Sequence, residues 1–358
     1  MQTGRRSALV ILLVVACGRG ATTTTVTTAP STTSTAQPST TSTTSSPSTT
    51  TTALPEGTYV LPVAAVAMPN IWSEVFLIPY GETPDTLGTS MAGDGEGFLL
   101  GPDYGAQGPD GTWWFLDGAK QRIAHFGGDG DYIDAVEVPM ELLVDELYFQ
   151  FQLPRVLDDG TLVANRLGAG TTILQLKDGE FETTLLDRQF IPRTDDGVLL
   201  YGFDIADTST PLEVDPSAGI ASETEWFKAR NGNRFHIAAA PGQLTISLPD
   251  ASPQVEHILT FEADEVGGSA FLALEVASGE DGTLHLFILG FPERDESLQL
   301  AGYMTIASDG ALGALEPMRD PFTTADPGSP SHLGVRPGAS DPWVMFIDED
   351  GVRVFGRS

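Results

Sequence analysis

The sequence predicts an all-β fold in which six four-stranded sheets close into a ring, that is, a six-bladed β-propeller. After residue 56, short alternating or apolar runs are separated by Gly, Asp and Pro, and helical periodicity is scarce. Asp-Gly turns recur along the chain, and the last repeat lacks one strand. These three observations predict the fold. Seven blades is the second choice, and a pair of β-sandwiches is the alternative architecture.

The first 16 residues predict an export signal. Arg5 and Arg6 give it a basic start, and an apolar run from Ser7 to Ala16 follows. That run is shorter than the about 20 residues that a membrane-spanning helix needs. The boundary VVAC (14–17) resembles the lipobox of bacterial lipoproteins, in which the cysteine is acylated and becomes the mature N-terminus. The resemblance implies lipidation of Cys17, the only cysteine in the chain, which therefore forms no intramolecular disulfide.

Residues 17–56 are predicted to form a disordered tether. Between residues 21 and 54 the chain holds 17 Thr and 7 Ser and no charged residue. Such a segment buries too little apolar area to offset the entropy lost on ordering. Extended at about 3.1 Å per residue, it spans on the order of 100 Å. We therefore expect a propeller domain at 57–358 that is exported and held at the extracytoplasmic face of the cell membrane by its lipid anchor.

The chain is strongly acidic, with a formal net charge of −31. Such a surface repels nucleic acid and anionic lipid headgroups, so no nucleic-acid partner is expected. A basic protein, a cell-wall glycan and a small solute stay open as partners. The domain is expected to be a monomer.

A recurring turn defines the repeat unit. Asp and Gly supply the positive φ angles of tight turns, and β-branched or aromatic residues then enter a strand. The glycines of successive turns are 49, 37, 45 and 40 residues apart, a period typical of a four-stranded blade. The stretches are PDGTWWFLD (109–117), DDGTLVANR (158–166), DDGVLLYGF (195–203), APGQLTISLP (240–249) and EDGTLHLFILG (280–290).

The first repeat is similar to a known family. The stretch GPDGTWWFLDGAKQRIAHFGGDGDYI (108–133) resembles an NHL repeat, in which a Gly-Pro-Asp-Gly turn precedes an aliphatic strand ending in Asp. The resemblance implies a propeller whose ligands meet the face opposite the Asp-Gly turns. It implies no particular activity, because such propellers carry unrelated functions.

The C-terminal repeat predicts how the ring closes. Only three strands remain there, in SHLGVRPGA (331–339), PWVMFID (342–348) and GVRVFGRS (351–358). The missing fourth strand is expected from the N-terminal side, either SEVFLIP (73–79) or TYVLPVAAV (58–66). Pairing of the two ends removes the last exposed sheet edge.

Four side chains are candidates for a ligand site at the mouth of the central channel. Arg155, Arg193 and Arg336 fall on predicted innermost strands, and His332 starts one. Guanidinium groups match carboxylates in shape and charge, so these residues predict a site for an anion. Structural pairing with the abundant Asp residues is the alternative.

No catalytic residue and no metal ligand is predicted. The sequence contains no HExxH, no paired His or Cys/His spacing and no GxSxG motif. Calcium-dependent lactonases of similar architecture use a ring of Glu, Asn and Asp in the channel; here Glu275 and Asp103 occupy innermost positions, with no Asn beside them. We therefore expect a binding or scaffold module without a cofactor. The alternative is a channel-centred enzyme, a metal-dependent lactonase or lyase, which would hold a divalent cation.

Overall fold

Six four-stranded antiparallel sheets follow one another around a ring, as the sequence predicts. The fold is seen in a computed structural model. It describes residues 57–62, 64–65, 67–92, 98–100, 102, 104–142, 151–167, 170–240, 242–263, 270–292, 300–319, 332–347 and 350–357. The predicted signal segment, Cys17 and the tether lie outside the described residues. Within the described part of the chain, no helix is long and apolar enough to cross a membrane.

The strands are numbered in chain order. Four precede the first complete blade: β1 (Gly57–Leu61), β2 (Trp72–Pro79), and the hairpin of β3 (Ser90–Ala92) and β4 (Phe98–Leu100). The first blade holds β5 (Gly105–Gln107), β6 (Trp113–Asp117), β7 (Arg122–Phe126) and β8 (Tyr132–Glu137). The second holds β9 (Gln152–Val156), β10 (Leu162–Leu167), β11 (Thr171–Lys177) and β12 (Glu180–Leu186). Short 3₁₀ turns occur at Gly118–Lys120 and Met140–Leu142.

The remaining blades repeat this order. The third holds β13 (Phe190–Asp195), β14 (Leu200–Asp204), β15 (Asp207–Asp215) and β16 (Ile220–Glu223). The fourth holds β17 (Phe227–Lys228), β18 (Arg234–Ala240), β19 (Gln243–Leu248) and β20 (Val255–Ala263). The fifth holds β21 (Ala270–Ser278), β22 (Leu284–Pro292), β23 (Leu300–Ile306) and β24 (Glu316–Pro317). The sixth holds β25 (His332–Val335), β26 (Pro342–Ile347) and β27 (Gly351–Arg357), completed by β2.

The turn between the innermost and second strands of a blade, called the corner here, has a shared geometry. In the first blade Gly111 has a φ of +88°, which an L side chain rarely adopts. The Asp110 carboxylate accepts a hydrogen bond from the Thr112 amide at 3.0 Å. This contact stabilises the turn within its own residues. Corners of neighbouring blades touch, since Asp158 N donates to Gly197 O at 2.9 Å.

One predicted corner is wrong. Residues 240–243 form the turn between β18 and β19, the second and third strands of the fourth blade. The corner of that blade is instead Asn231-Gly232, where Gly232 has a φ of +83°. Because β17 has only two residues, the blade's first strand gives little sequence signal.

Ring closure occurs through β2 and β27, which confirms the predicted joining of the two ends. The two strands pair antiparallel from Trp72 opposite Arg357 to Pro79 opposite Gly351. The other candidate segment has a different place, because β1 pairs in parallel with β20 at the outer edge of the fourth blade. Between these strands, Ala65 N donates to Met318 O of the fifth blade at 2.8 Å. Strand β1, Ala65 and strand β2 thus lie along the outer edges of three successive blades.

Packing between blades forms the core. At the junction of the first and sixth blades, Trp113 is 1% exposed and meets Trp343 edge-on with ring centroids 4.7 Å apart. Trp114 points to the other face of β6, as alternation along a strand requires, and stacks on His125 at 3.9 Å. The ring of blades is therefore stabilised by apolar layers between neighbouring blades.

The innermost strands surround a narrow channel. The short β17 leaves room for β13 and β21 to approach each other directly, although they belong to the third and fifth blades. Their contact is marked by a hydrogen bond from Arg193 Nη1 to Leu274 O at 3.2 Å. The channel is thus bounded mainly by β5, β9, β13, β21 and β25.

Candidate functional site

Three of the four candidate residues lie together in the channel. Arg155 is on β9, Arg193 is on β13, and His332 begins β25. Arg155 Nη1 lies 2.8 Å from His332 Nε2, and Arg155 Nη2 donates to Arg193 O at 3.4 Å. Side chains from the second and sixth blades and the backbone of the third thus meet at one point.

Arg336 lies apart from these three. The sequence placed it on an innermost strand, but β25 ends at Val335, so Arg336 falls in the corner that follows. Its side chain is exposed. Its Nη1 would lie 3.5 Å from a β-carbon placed on Gly111, in the corner of the first blade. The structure therefore does not bring Arg336 into the channel.

His332 has a single tautomer that satisfies its contacts. The residue is 1% exposed. An arginine only donates, so Nε2 accepts from Arg155 and the ring proton is on Nδ1. Nδ1 lies 3.4 Å from Glu275 Oε1. Burial lowers the pKa of His332, and Glu275 opposes this shift only in part. The imidazole is thus neutral and engaged at both nitrogens.

Glu275 lies on β21, the first strand of the fifth blade, at the innermost position predicted for it. Its Oε2 accepts the amide of Leu333 at 2.6 Å, in addition to the contact with His332. Burial acts to raise the pKa of Glu275, but His332, the Leu333 amide and the charge of Arg155 hold it below its usual value. Glu275 is therefore an ionised carboxylate whose hydrogen bonds go to an imidazole and a backbone amide. Asp103, the other acid considered for the channel, lies outside the described residues.

The two channel guanidinium groups donate to neutral acceptors. Arg155 donates to Pro154 O at 3.1 Å as well as to His332 and Arg193 O. Arg193 donates to Leu274 O. Burial lowers the pKa of both residues. The charge of Asp195 and then that of Glu275 oppose the shift in the pKa of Arg155, and the charge of Glu275 opposes it in the pKa of Arg193. Both remain charged, because an arginine guanidinium keeps its proton in proteins.

A third arginine, which the sequence reasoning missed, neutralises the acid beside them. Arg230 lies in the corner of the fourth blade, and its Nη2 donates to Asp195 Oδ1. Its Nη1 donates to Asp158 Oδ1 at 2.6 Å. Arg155 Nε is 3.7 Å from Asp195 Oδ2, beyond hydrogen-bond range. The Asn-Gly signal at 231–232 marks this corner and is the feature that could have revealed Arg230.

These groups border a cavity at the corner side of the channel. It is open to solvent, and its volume of about 30 Å³ has room for about two water molecules, or for a carboxylate whose remaining group lies toward the solvent. Arg155, Asp195 and Arg230 form its charged wall. Apolar side chains also line the cavity, those of Val156, Val276, Val335, Pro337 and Trp343. The cavity therefore lies at the corner side, whereas the NHL resemblance implied that ligands meet the other face.

The described channel contains no constellation typical of a metal centre. Among the residues that the structure describes, no group of three or more His, Cys, Asp or Glu side chains is placed to hold a metal ion. A carboxylate ring of the lactonase kind is not formed there by Glu275, whose oxygens face His332 and Leu333.

Fold and site define a six-bladed β-propeller with a charged channel and a small cavity. The chain belongs to the family described as "Domain of unknown function (DUF7485)", whose model matches residues 70–357. No curated protein matches the chain in sequence.

Solved structures with a similar fold include several propellers. A periplasmic gluconolactonase of Pseudomonas aeruginosa is 15% identical, with 79% of this chain and 91% of that chain covered and a TM-score of 0.41. A gluconolactonase of Xanthomonas campestris is 14% identical, with 79% and 97% covered and a TM-score of 0.39. Regucalcin of Agrobacterium tumefaciens, described as calcium-binding, is 11% identical, with 85% and 97% covered and a TM-score of 0.41. Likenesses at this level concern the fold alone.

Proposed function

We propose that this chain is a lipid-anchored, extracytoplasmic binding module that holds a small anionic solute in the corner-side cavity. The export signal, Cys17 and the tether of residues 17–56, which holds no charged residue between 21 and 54, support the anchored location. The charged wall of the cavity supports the nature of the ligand.

One observation carries the choice of an anion: Arg155 and Arg193 hydrogen-bond to no carboxylate among the described residues. Their acceptors are three backbone carbonyls and a neutral imidazole. The nearby acids have other donors, since Asp195 accepts from Arg230 and Glu275 from Leu333. Arg155 has Asp195 only as an ion-pair partner at 3.7 Å, shared with Arg230. An incoming carboxylate that accepts hydrogen bonds from Arg155 would lower the electrostatic cost of its burial.

The same contacts favour retention of a ligand over its conversion. A general base must reach a substrate proton with a free nitrogen or oxygen. His332 is the imidazole closest to the cavity, and both of its ring nitrogens are engaged. In the empty channel neither nitrogen of His332 is therefore available as a base.

The charge of the whole chain favours a small solute over a polymer. A net charge of −31 repels polyanions from the surface. A small anion has to meet only the local field of the cavity, where Arg155 and Arg230 share Asp195. The proposal therefore selects a small solute among the three partner classes considered from the sequence.

A pair of isosteric probes tests the proposal. Benzoate and benzamide have the same shape, but only benzoate carries a carboxylate. With the full chain purified in detergent, isothermal titration calorimetry is expected to show binding of benzoate at least tenfold tighter than binding of benzamide, since a hydrogen bond to a charged group contributes about 1.5–3 kcal/mol. Equal affinities, or no binding of either probe, would contradict an anion receptor.

Matched arginine variants locate the site. Arg155→Gln is expected to weaken benzoate binding by about 10- to 100-fold, again from the loss of a charged hydrogen bond. Arg336→Gln removes an exposed arginine outside the channel and should leave the affinity unchanged. Circular dichroism and the unfolding midpoint show whether each variant is folded. The same loss in both variants would place the binding outside the cavity.

The anchor has a separate test. Cys17→Ala removes the sulfur that is lipidated, so the protein is expected to move from the membrane fraction to the soluble fraction on cell lysis. Cys17→Ser is a second variant without the thiol and should behave alike. Unchanged membrane association of both variants would count against lipidation.

A further inference from the structure

Three channel groups from three different blades form a line with His332 at its centre. Glu275 of β21 lies on one side of the imidazole and Arg155 of β9 on the other, at 3.4 Å and 2.8 Å. Each neighbour makes a different demand. Arg155 needs an acceptor at Nε2, whereas Glu275 needs a donor at Nδ1. Only a neutral imidazole meets both demands.

We propose, on the basis of the anion-binding function above, that capture of an anion in the cavity is coupled to uptake of one proton by His332. The anion draws the Arg155 guanidinium toward the cavity, and Nε2 of His332 loses its donor. A new N–H bond then forms at Nε2 with a proton from a solvent acid, whose conjugate base stays in solution. The added proton balances the charge of the anion, so the net charge of the channel is unchanged.

Glu275 makes this coupling favourable. The contacts of Glu275 with His332 and with the Leu333 amide keep it ionised, so it is a counter-ion before the proton arrives. A buried charge is tolerated when it is paired and hydrogen-bonded. Burial of an anion alone, or of an imidazolium alone, would leave one charge without compensation. Burial of the two together gives two ion pairs, the anion with Arg155 and His332 with Glu275.

Other groups around His332 include the Pro154 carbonyl, an acceptor that acts to raise the pKa of the ring. Tyr104, just before β5, meets the imidazole edge-on with ring centroids 5.9 Å apart. Trp343 of β26 does so at 5.6 Å and carries no titratable group. Among the described neighbours of the ring, Arg155, Glu275 and Tyr104 are therefore the titratable ones. Burial keeps the pKa of His332 below its ordinary value, which leaves the ring neutral in the empty channel at pH 7.

Linkage gives the sign of the effect. If anion binding takes up a proton, protons strengthen anion binding to the same extent. The affinity should therefore rise about tenfold for each unit by which the pH falls, over the range where the empty protein is neutral at His332 and the complex is protonated. Above that range the pH dependence disappears.

Calorimetry in several buffers measures the coupling directly. Benzoate is titrated into the full chain in detergent at pH 6, 7 and 8, each in buffers of different ionisation enthalpy. The observed heat changes with buffer in proportion to the protons exchanged. We expect uptake approaching one proton per benzoate within this range and an affinity that rises as the pH falls. Binding of benzoate without proton uptake at any pH would overturn the coupling and leave the anion receptor intact. Absence of binding would overturn the receptor itself.

A glutamine variant isolates His332. In His332→Gln the side-chain amide can accept from Arg155 and donate to Glu275 but does not titrate. It should bind benzoate without proton uptake, whereas His125→Gln in the first blade should keep the uptake of the original chain. Unaltered uptake in His332→Gln would overturn the assignment. If that variant fails to fold, ¹⁵N NMR of the original chain decides: the His332 ring must change from singly to doubly protonated on adding benzoate, and an unchanged ring refutes the proposal.

Discussion

His285 gives a quantitative prediction for how the free energy of unfolding of the propeller changes in acid. It lies on β22 of the fifth blade and is 3% exposed. Its Nδ1 contacts Tyr303 Oη at 2.6 Å. Burial lowers the pKa of His285 from 6.5 to about 4, because the charged form would lose its hydration. In the unfolded chain the imidazole recovers its ordinary pKa.

The sign and size of the effect follow from this difference. Above pH 6.5 the imidazole is neutral in both states, and its contribution to stability is complete. As the pH falls from 6.5 toward 4, only the unfolded state takes up the proton, so stability is progressively lost. At about 1.4 kcal/mol per unit, the total is on the order of 3 kcal/mol, of which about 2 kcal/mol is lost between pH 7.5 and pH 5.

Urea unfolding at pH 7.5 and pH 5 provides the assay. Other groups also titrate, so the informative quantity is the difference between the original chain and His285→Gln, which keeps a hydrogen-bonding group but not the titration. We expect the variant to lose about 2 kcal/mol less on acidification. His125→Gln is the matched control and tests whether the effect is specific to the fifth blade. The same pH dependence in the original chain and in His285→Gln would refute the reasoning.

Two further predictions concern backbone and closure. Gly202→Ala would place a β-carbon against the carbonyl oxygen of Ile191 on β13, closer than these atoms can approach, so severe destabilisation in urea unfolding is expected. At Gly160 an added β-carbon meets nothing within 4 Å, so Gly160→Ala strains only the backbone, whose φ is +85°, at a cost of about 1–2 kcal/mol. Equal losses of stability in the two alanine variants would contradict this contrast. Phe76→Ala in the closing strand β2, 6% exposed, should cost about 3–5 kcal/mol. Val75→Ala, 46% exposed, should stay within about 0.5 kcal/mol, and a comparable loss in both would refute a buried closure.

Local turn chemistry explains why much of the ring could be predicted. At 110–112 and 281–283 the Asp side chain accepts the amide two residues later, and the glycine between them takes a positive φ. This geometry depends on three adjacent residues, so a single sequence contains it. Alternation of half-buried and buried residues along β19 is equally local.

Contacts between distant segments could not be predicted in the same way. Parallel addition of β1 to β20 joins residues about two hundred positions apart, and nothing in either segment specifies the partner. The fourth corner was misplaced because β17 is too short for a strand pattern. If this first strand is not recognised, each later strand of the blade is assigned the wrong place in the order.

The site was predicted in part for the same reasons. Arg155, Arg193 and His332 could be placed because each belongs to the first strand of a blade, and the first strands of five blades border the channel. Arg336 was misplaced by one residue, since β25 ends at Val335. The pairing of Arg230 with Asp195 depends on two corners meeting in space, which the order of residues along the chain does not show.

The pairing of β2 with β27 also determines when the propeller can close during synthesis. Arg353 and Glu74 bridge the two strands across 279 positions, so the strand that leaves the ribosome early must wait for one of the last to appear. Bringing the ends of such a chain together costs about 5 kcal/mol of loop entropy. A product truncated before residue 351 retains five complete sheets but has no partner for β2, and it exposes an edge that can pair with another chain.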